Sequence, residues 1–405
     1  LLCSARYVSG FSQQQSFDDL VQYSGILQEL TVDYDDVQKT VTTSLFGLSE
    51  KTANYLPNIG CAIDYSGFNQ RALLQTEQVF ASAAAWPAGD TIGAADSDME
   101  GMLERLLATD NEEGFNTRAF LIAHRGKVIA EAYGQGADAD TPLLGWSMAK
   151  SLTAIMLANL EYRGTLDLDG APEFELWQGD ERSQIRISDM LTMTDGLAFS
   201  EEYNPGDDAT AMLFTEASSS EFVLNKPALH APGSRFNYSS GTANLLARIY
   251  FEKTGGNQGN YDAYMESIHQ SLAFQNVIFE IDASGVFMGS SYLYASARDW
   301  ARIGQLMLNG GVINGQRIMS EDWVSRATSP NTSENQKAYG YQWWLNRGNT
   351  ELRWTDIPIG AYSAQGNRQQ YLMVIPSLDL VIVRLGWTAG GYPVNDRFSE
   401  IIENL

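Results

Sequence analysis

The strand-forming segments of this chain lie toward two separate regions, and the stretch between them is patterned for helices. AFLIAH, a turn at Arg125-Gly126 and KVIAEAY read as a β-hairpin whose alternate residues face one side of a sheet. The final third returns to strands in YGYQWWL, RQQYLMVIP and DLVIVRLG, the last two separated by a short turn at Ser377-Leu378. Such a chain predicts an α+β fold: one antiparallel sheet flanked by helices, with a helical insertion between its two parts.

The helices carry their own marks. Over residues 98–108, Met99, Met102, Leu103, Leu106 and Leu107 recur at amphipathic spacing. Residues 147–162 keep a helical pattern that Gly164 stops, and a closing helix is expected over 397–405. SARDWARIGQLMLNGG opens with Ser296 and Asp299 in a capping-box pattern and ends at Gly310. The small-residue stretch ASAAAWPAGDTIGAADSD, residues 81–98, reads as a loop and a boundary. The expected organisation is therefore an N-terminal appendage, 1–97, packed on a main domain, 98–405. Within that domain the sheet parts fall at about 98–146 and 290–405, and the mainly helical part at about 147–289.

Charge narrows the partners. The 405 residues include 50 acids against 26 Lys and Arg, a formal charge of −24, whose field repels polyanions. Nucleic acid and anionic membrane surfaces are thus excluded as expected partners. No run reaches the roughly 18 apolar residues of a membrane-spanning helix. Cys3 and Cys61 are the only cysteines, and His124, His230 and His269 are scattered, so no zinc-type ligand set is expected. The two thiols are either free and buried or joined in one disulfide, the second state belonging to an oxidising compartment, periplasmic or secreted. The start Leu1-Leu2-Cys3 lacks methionine and reads as a processed end. It fits a lipid-anchor signal poorly, because Leu2 is not a small residue.

The most informative segment is LLGWSMAKSLTAIMLANL. Ser147 at the first turn of an apolar helix sits near the positive end of the helix dipole, where developing negative charge is favoured. Lys150 follows one turn on, on the same face, so its amine can reach the serine oxygen. A nucleophile and a base result if burial lowers the lysine's pKa. Further along, PGSRFNYSSGTANLLARI places Tyr238 just before another apolar helix, where a phenol beside a Ser–Lys pair can relay a proton. In GAYSAQGNRQQYLMVIP, Gly366 lets a substrate edge lie along the strand. The amide of Asn367 can there join that of Ser147 as an oxyanion donor.

At these three places the chain resembles the serine β-lactamase and penicillin-binding superfamily, in particular its class C-like branch with carboxylesterases and 6-aminohexanoate-dimer hydrolases. RGTLDLDGA, ISDMLTMTDGL and DASGVFMGSSYLYASARDWARIGQLMLNGGVINGQRIMSEDWV also resemble family blocks in family order, so the likeness spans roughly residues 115–390. It implies a β-lactamase-like fold, Ser147 as nucleophile, Lys150 as its base, Tyr238 as second proton carrier, and no metal or organic cofactor. Two departures bear on the substrate. Ser240 stands where lactamases carry an asparagine that holds the substrate amide, and Ala364-Gln365-Gly366 stands where they carry a motif opening with lysine. With Ser240, Gln365 and Gly366 as the substrate-binding positions, a small ester or linear amide is the expected substrate. A β-lactam or a D-Ala-D-Ala peptide is the alternative.

Other features have plainer readings. His124 is structural, the acidic run EEYNPGDDAT is surface, and of Trp343 and Trp344 at most one can face the cleft, since adjacent strand residues point to opposite sides. Two competing functions differ in kind. An α/β-hydrolase elbow at Gly145–Ala149 would need His230 or His269 to close a triad, and TPLLG is a poor strand to lead into it. A non-catalytic peptide sensor of the same fold would not need Ser147, Lys150 and Tyr238 together.

Overall fold

A computed structural model describes residues 1–65, 73–77 and 82–405. The first of these stretches forms two helices, α1 (Leu2–Tyr7) and α2 (Gln13–Val21), and an antiparallel meander of β1 (Leu30–Asp35), β2 (Thr40–Leu45), β3 (Leu48–Leu56) and β4 (Gly60–Ile63). Ser12 caps α2 by accepting the Gln15 N–H at 3.1 Å. A disulfide joins Cys3 to Cys61 and so ties α1 to β4. The apolar centre of this unit is small: Leu2, Cys3, Val41 and Cys61. The unit is joined to the rest of the chain through apolar side chains, Phe11 and Ile59 in the large core and Leu1 and Val8 beside Trp146 and Trp387, and through polar contacts. Arg118 donates to both Asp19 oxygens at 2.7 Å, the Trp387 indole donates to the Asp19 carbonyl at 3.0 Å, and Glu280 accepts the Cys61 N–H at 2.7 Å.

Residues 82–96 form a loop, as the small residues suggest, with Ala81 of that stretch outside the described residues. The loop is pinned: the buried Arg302 guanidinium donates to the Pro87 carbonyl at 2.9 Å, to the Gly89 carbonyl, and to Asp90 at 2.7 Å. Next, α3 (Ser97–Glu112) starts one residue before the apolar pattern and outlasts it by four. Asp96 caps it by accepting from Asp98 and Met99.

The hairpin is β5 (Thr117–His124) and β6 (Lys127–Tyr133). Its turn residues Arg125 and Gly126 have φ of 50° and 74°, the two-residue geometry whose twist matches the flanking strands. After the helical part, which includes α4 (Ala149–Tyr162), α5 (Ser240–Lys253) and α6 (Ala297–Leu308), come β7 (Trp344–Leu345), β8 (Tyr362–Gly366), β9 (Gln370–Ile375), β10 (Leu380–Gly386) and α7 (Val394–Glu403). One six-stranded antiparallel sheet results, in the order β7-β8-β9-β10-β5-β6. The last helix starts three residues earlier than the sequence suggests, directly after Pro393.

Alternation along the strands sorts the side chains to two layers. Phe120, Ile122, Met373 and Ile382 meet Met102, Leu103 and Leu106 of α3 and Phe398 and Ile401 of α7. Leu121, Leu372 and Val383 face the other way, into the large core that holds Leu152 and Ile155 of α4 and Trp300 and Ile303 of α6. At the start of α6, Ser296 accepts the Asp299 N–H at 3.2 Å. The Asp299 carboxylate does not close the capping box. It accepts instead from the Gln275 and Asn276 N–H groups at 3.0 and 2.9 Å and from Arg302 at 2.7 Å, which binds the helix to the insertion.

Because a cross-link over 58 residues restricts the unfolded chain, a Cys3→Ser/Cys61→Ser variant is expected to lose about 2–4 kcal/mol. Chemical denaturation reads that loss. Free thiols titrating in the unreduced, denatured wild-type protein would show that the bond does not form.

Candidate active site

Ser147 lies in a tight 3-10 turn, Trp146–Met148, that runs directly into α4. The turn is shaped by two close approaches. A side chain at Gly145 would meet the Trp300 ring at 2.1 Å, and one at Gly366 would meet the Gly145 carbonyl at 2.0 Å. The space left by the missing side chain of Gly366 is therefore filled by the turn that carries Ser147. Trp146 has φ of 49°, a conformation that costs a non-glycine residue about 1–3 kcal/mol. Its ring is held by aromatic neighbours, Tyr23, Trp387 and Tyr292, with centroids 6.1–6.2 Å away.

Lys150 sits one turn along and is fully buried. Its Nζ lies 3.0 Å from Ser147 Oγ, 3.0 Å from Ser240 Oγ and 3.1 Å from the Ser290 carbonyl. Burial pushes its pKa down to about 8, and the charge of Glu201 pulls the other way. The ring of Tyr238 packs beside the amine, 4.8 Å from centroid to Nζ. The Tyr238 phenol is pushed up by burial and by Glu201, with a hydrogen bond to Ser147 acting in the opposite sense. Trp344 stacks on Tyr238 at 5.4 Å and 21°, while Trp343 is wholly buried against Tyr362. One tryptophan of the pair thus supports the site and the other the core.

The insertion helix α5 organises the lysine's other partners. Ser240 opens it, and Asn244, one turn on, accepts the Ser290 N–H at 3.0 Å and so fixes the carbonyl that Lys150 meets. Thr153 of α4 donates to the Gly289 carbonyl at 2.9 Å and holds the same loop from the other side. Ser240 is completely buried, with its hydroxyl and N–H both donating to Glu201. It belongs to the surroundings of the lysine.

Glu201 is the residue that sequence reasoning missed. It sits in the acidic run read as surface, and Glu202, Tyr203 and Asn204 beside it are indeed exposed. Glu201 turns toward Ser240. One carboxylate turned toward a serine in a chain of 50 acids leaves no trace in composition, and the structure adds the Tyr203 hydroxyl, which reaches it at 2.8 Å.

On the sheet side, Ala364 is buried, Gln365 has a side-chain amide nitrogen without a partner, and Asn367 is exposed on the turn after β8. The Asn367 side chain donates to the Tyr23 hydroxyl at 3.4 Å, so the N-terminal unit reaches this edge of the site. Among the described residues no group of three or more His, Cys, Asp or Glu is arranged to hold a metal ion. The histidines lie elsewhere: His124 at the end of β5, His230 on an exposed loop, and His269 buried against Tyr264 and Phe274.

A serine hydroxyl against a desolvated lysine, placed where an antiparallel sheet meets a helical insertion, defines a serine hydrolase. The chain belongs to the beta-lactamase family, whose model matches residues 100–397. It is 28% identical over 292 residues to a 6-aminohexanoate-dimer hydrolase of Paenarthrobacter ureafaciens, covering 66% of this chain and 72% of that protein. Among solved structures it is similar to a Bacillus anthracis protein provisionally named a 6-aminohexanoate-dimer hydrolase, at TM-score 0.61 and 22% identity over 75% of this chain and 80% of that one. It also matches a family VIII carboxylesterase at TM-score 0.58 and 13% identity, over 77% and 98% of the two chains. These two structural likenesses speak to the fold.

Burial holds the His269 imidazole down to about 4, so it stays neutral throughout pH 5–8. Its ring resonances followed by NMR should not titrate in that window. A midpoint near 7 would make it available as a base and reopen the triad reading.

Proposed function

We propose that the protein cleaves an ester or linear amide bond through an acyl-enzyme on Ser147, with the catalytic unit at 98–405 and residues 1–97 as an appendage packed on it. The observation that carries this reading is the 3.0 Å contact between Ser147 Oγ and a fully buried Lys150 amine whose pKa is pushed down to about 8. A lysine in water is a cation at neutral pH and accepts nothing. Here a fraction of the molecules holds it neutral, with a lone pair able to take the Ser147 proton.

In this mechanism Ser147 Oγ attacks the substrate carbonyl carbon as its proton passes to Lys150. The negative charge that gathers on the carbonyl oxygen is met by the N–H groups of Ser147 and Asn367. Tyr238, high in pKa and set against Ser147, hands a proton to the departing alcohol or amine and is reprotonated from Lys150. Water then attacks the acyl-Ser147 ester, losing its proton to the same pair, and the acid product leaves. The steps are closed in protons and need no cofactor.

Substrate choice follows from what the cleft edge lacks. Ala364 offers a methyl group where a lysine would hold an anion, and the Gln365 amide offers a neutral donor. Both favour a small neutral ester or linear amide. The likeness to a protein named a 6-aminohexanoate-dimer hydrolase supports a hydrolase reading. The Cys3–Cys61 disulfide supports an oxidising compartment, periplasmic or extracellular. No helix among the described residues is long and apolar enough to cross a membrane.

A fluorophosphonate probe should label Ser147, and Ser147→Ala should abolish labelling; an adduct on another serine would overturn the mechanism. Lys150→Ala and Tyr238→Phe should each lower turnover by about two to four orders of magnitude with the fold intact. Because the neutral amine is the active form, wild-type kcat/KM should rise with pH through a midpoint of about 8.

For substrates, kcat/KM on the best short ester or linear amide should exceed that on penicillins and cephalosporins by at least about tenfold, or roughly 1.4 kcal/mol of transition-state stabilisation. Ala364→Lys with Gln365→Thr should narrow the gap. Nitrocefin turnover matching the best ester would return the protein to the lactamase reading.

A further inference from the structure

We propose that Glu201 is a positioning residue: by holding the hydroxyl proton of Ser240, it fixes which way the hydrogens of Lys150 point and leaves the lysine lone pair facing Ser147. The proposal rests on the Ser147–Lys150 mechanism above and concerns how that pair is oriented.

Counting donors carries it. A neutral amine has two N–H bonds and one lone pair, and Lys150 has three oxygen neighbours, on Ser147, Ser240 and Ser290. The Ser290 neighbour is a backbone carbonyl and can only accept, so it takes one N–H. A hydroxyl can donate or accept, and here the choice is made from outside. Ser240 O–H donates to one oxygen of Glu201, and Ser240 N–H donates to the other at 2.6 Å. With its proton committed, Ser240 Oγ can only accept from Lys150, which takes the second N–H. The lone pair is then left for the Ser147 hydroxyl, the direction in which proton abstraction runs. Were Ser240 free to turn, its own proton could occupy that lone pair and the base would be blocked.

The carboxylate is well placed to make the choice. It is gripped by both Ser240 donors at the first turn of α5 and by the Tyr203 hydroxyl at 2.8 Å. The charged and titratable groups around this chain of contacts are few. Lys150 faces Glu201 across Ser240, Tyr238 packs on Lys150, Tyr203 donates to Glu201, and Tyr339 lies edge-on to Tyr238 at 6.0 Å. Glu201 is the acid whose charge opposes the desolvation of Lys150. Two separable effects follow: the hydrogen bonds orient the amine, and the charge stabilises its protonated form.

The test is Glu201→Gln, with Ser240→Ala and the double variant beside it. Lys150 is titrated by NMR on the 13C-labelled side chain, and kcat/KM is measured against pH on the best ester. Gln keeps the shape but removes the charge and one acceptor. The Lys150 midpoint and the acid limb of kcat/KM should both move down by about one pH unit, because a nearby carboxylate favours the ammonium form. The pH-independent maximum should fall about 10- to 100-fold. In the Ser240→Ala background, Glu201→Gln should still lower the midpoint while costing little further rate, since the hydroxyl it orients is gone. A midpoint that stays or rises, an unchanged maximum, or fully additive rate losses would each overturn the proposal. Failure of the parent mechanism looks different: Lys150→Ala would then keep wild-type rates in the protein with Glu201 intact.

Discussion

Leu121 lies opposite Val383, and Phe120 opposite Arg384, in the ladder that joins β5 to β10 across the whole helical insertion. The site exists only because this ladder closes. It brings β8, two strands further across the sheet, against the turn that precedes α4, and the absence of a side chain at Gly366 lets its backbone touch the Gly145 carbonyl. Arg384 extends the same control. It is wholly buried in β10, and its guanidinium donates to the Gln369 carbonyl at 2.8 Å and to Thr117 Oγ1 at 3.1 Å through Nε. The turn carrying Asn367 is thus fastened from beneath by the strand that completes the sheet. Its burial without a hydrogen-bonded carboxylate costs free energy, which backbone carbonyls and hydroxyls offset in part.

The chemistry draws on the same economy of desolvation. Removing Lys150 from water destabilises its charged form, which is the condition the proposed base would need. The apolar surroundings do this without any opposing positive charge. Ser240 and the Ser290 carbonyl then receive the amine's hydrogens, so that burial does not leave them unpaired. The strained backbone of Trp146 belongs to this arrangement too, since it aims Ser147 toward the amine while the indole is locked among aromatic rings.

Much of this was legible in the sequence, for reasons that can be stated. The β5–β6 hairpin and the β9–β10 pair have apolar residues on both faces or in clean alternation, because both faces of the sheet are covered by helices. Ser147, Lys150 and Tyr238 were singled out by the segments around them, which resemble family blocks in family order, because a Ser and a Lys three apart occur by chance in most chains of this length. The N-terminal meander was invisible as strands. β3, LSEKTANYL, is half exposed along its length and has no apolar period to read. The direction of the Ser240 hydroxyl was not legible. A serine's direction is set by its acceptor, and that acceptor, Glu201, comes from a loop 39 residues earlier. Gly366 shows the same limit: its need for a missing side chain was visible, while the backbone that fills the space was not.

Tyr23 gives the N-terminal unit a reach beyond its own fold. Its ring lies edge-on to Trp146 and Trp387, the Arg368 guanidinium stacks on it at 4.0 Å, and its hydroxyl receives the Asn367 amide. The family match begins at residue 100, so this contact comes from a part of the chain outside it. Tyr23 is therefore encoded apart from the stretch that holds Ser147, Lys150 and Tyr238, whereas its neighbours Trp146, Arg368 and Trp387 lie within that stretch. A change at Tyr23 alters the packing beside Trp146 while leaving Ser147, Lys150 and Tyr238 as they are. A scaffold divided in this way is open to adaptation by exchange of an accessory segment, with the reacting constellation inherited intact.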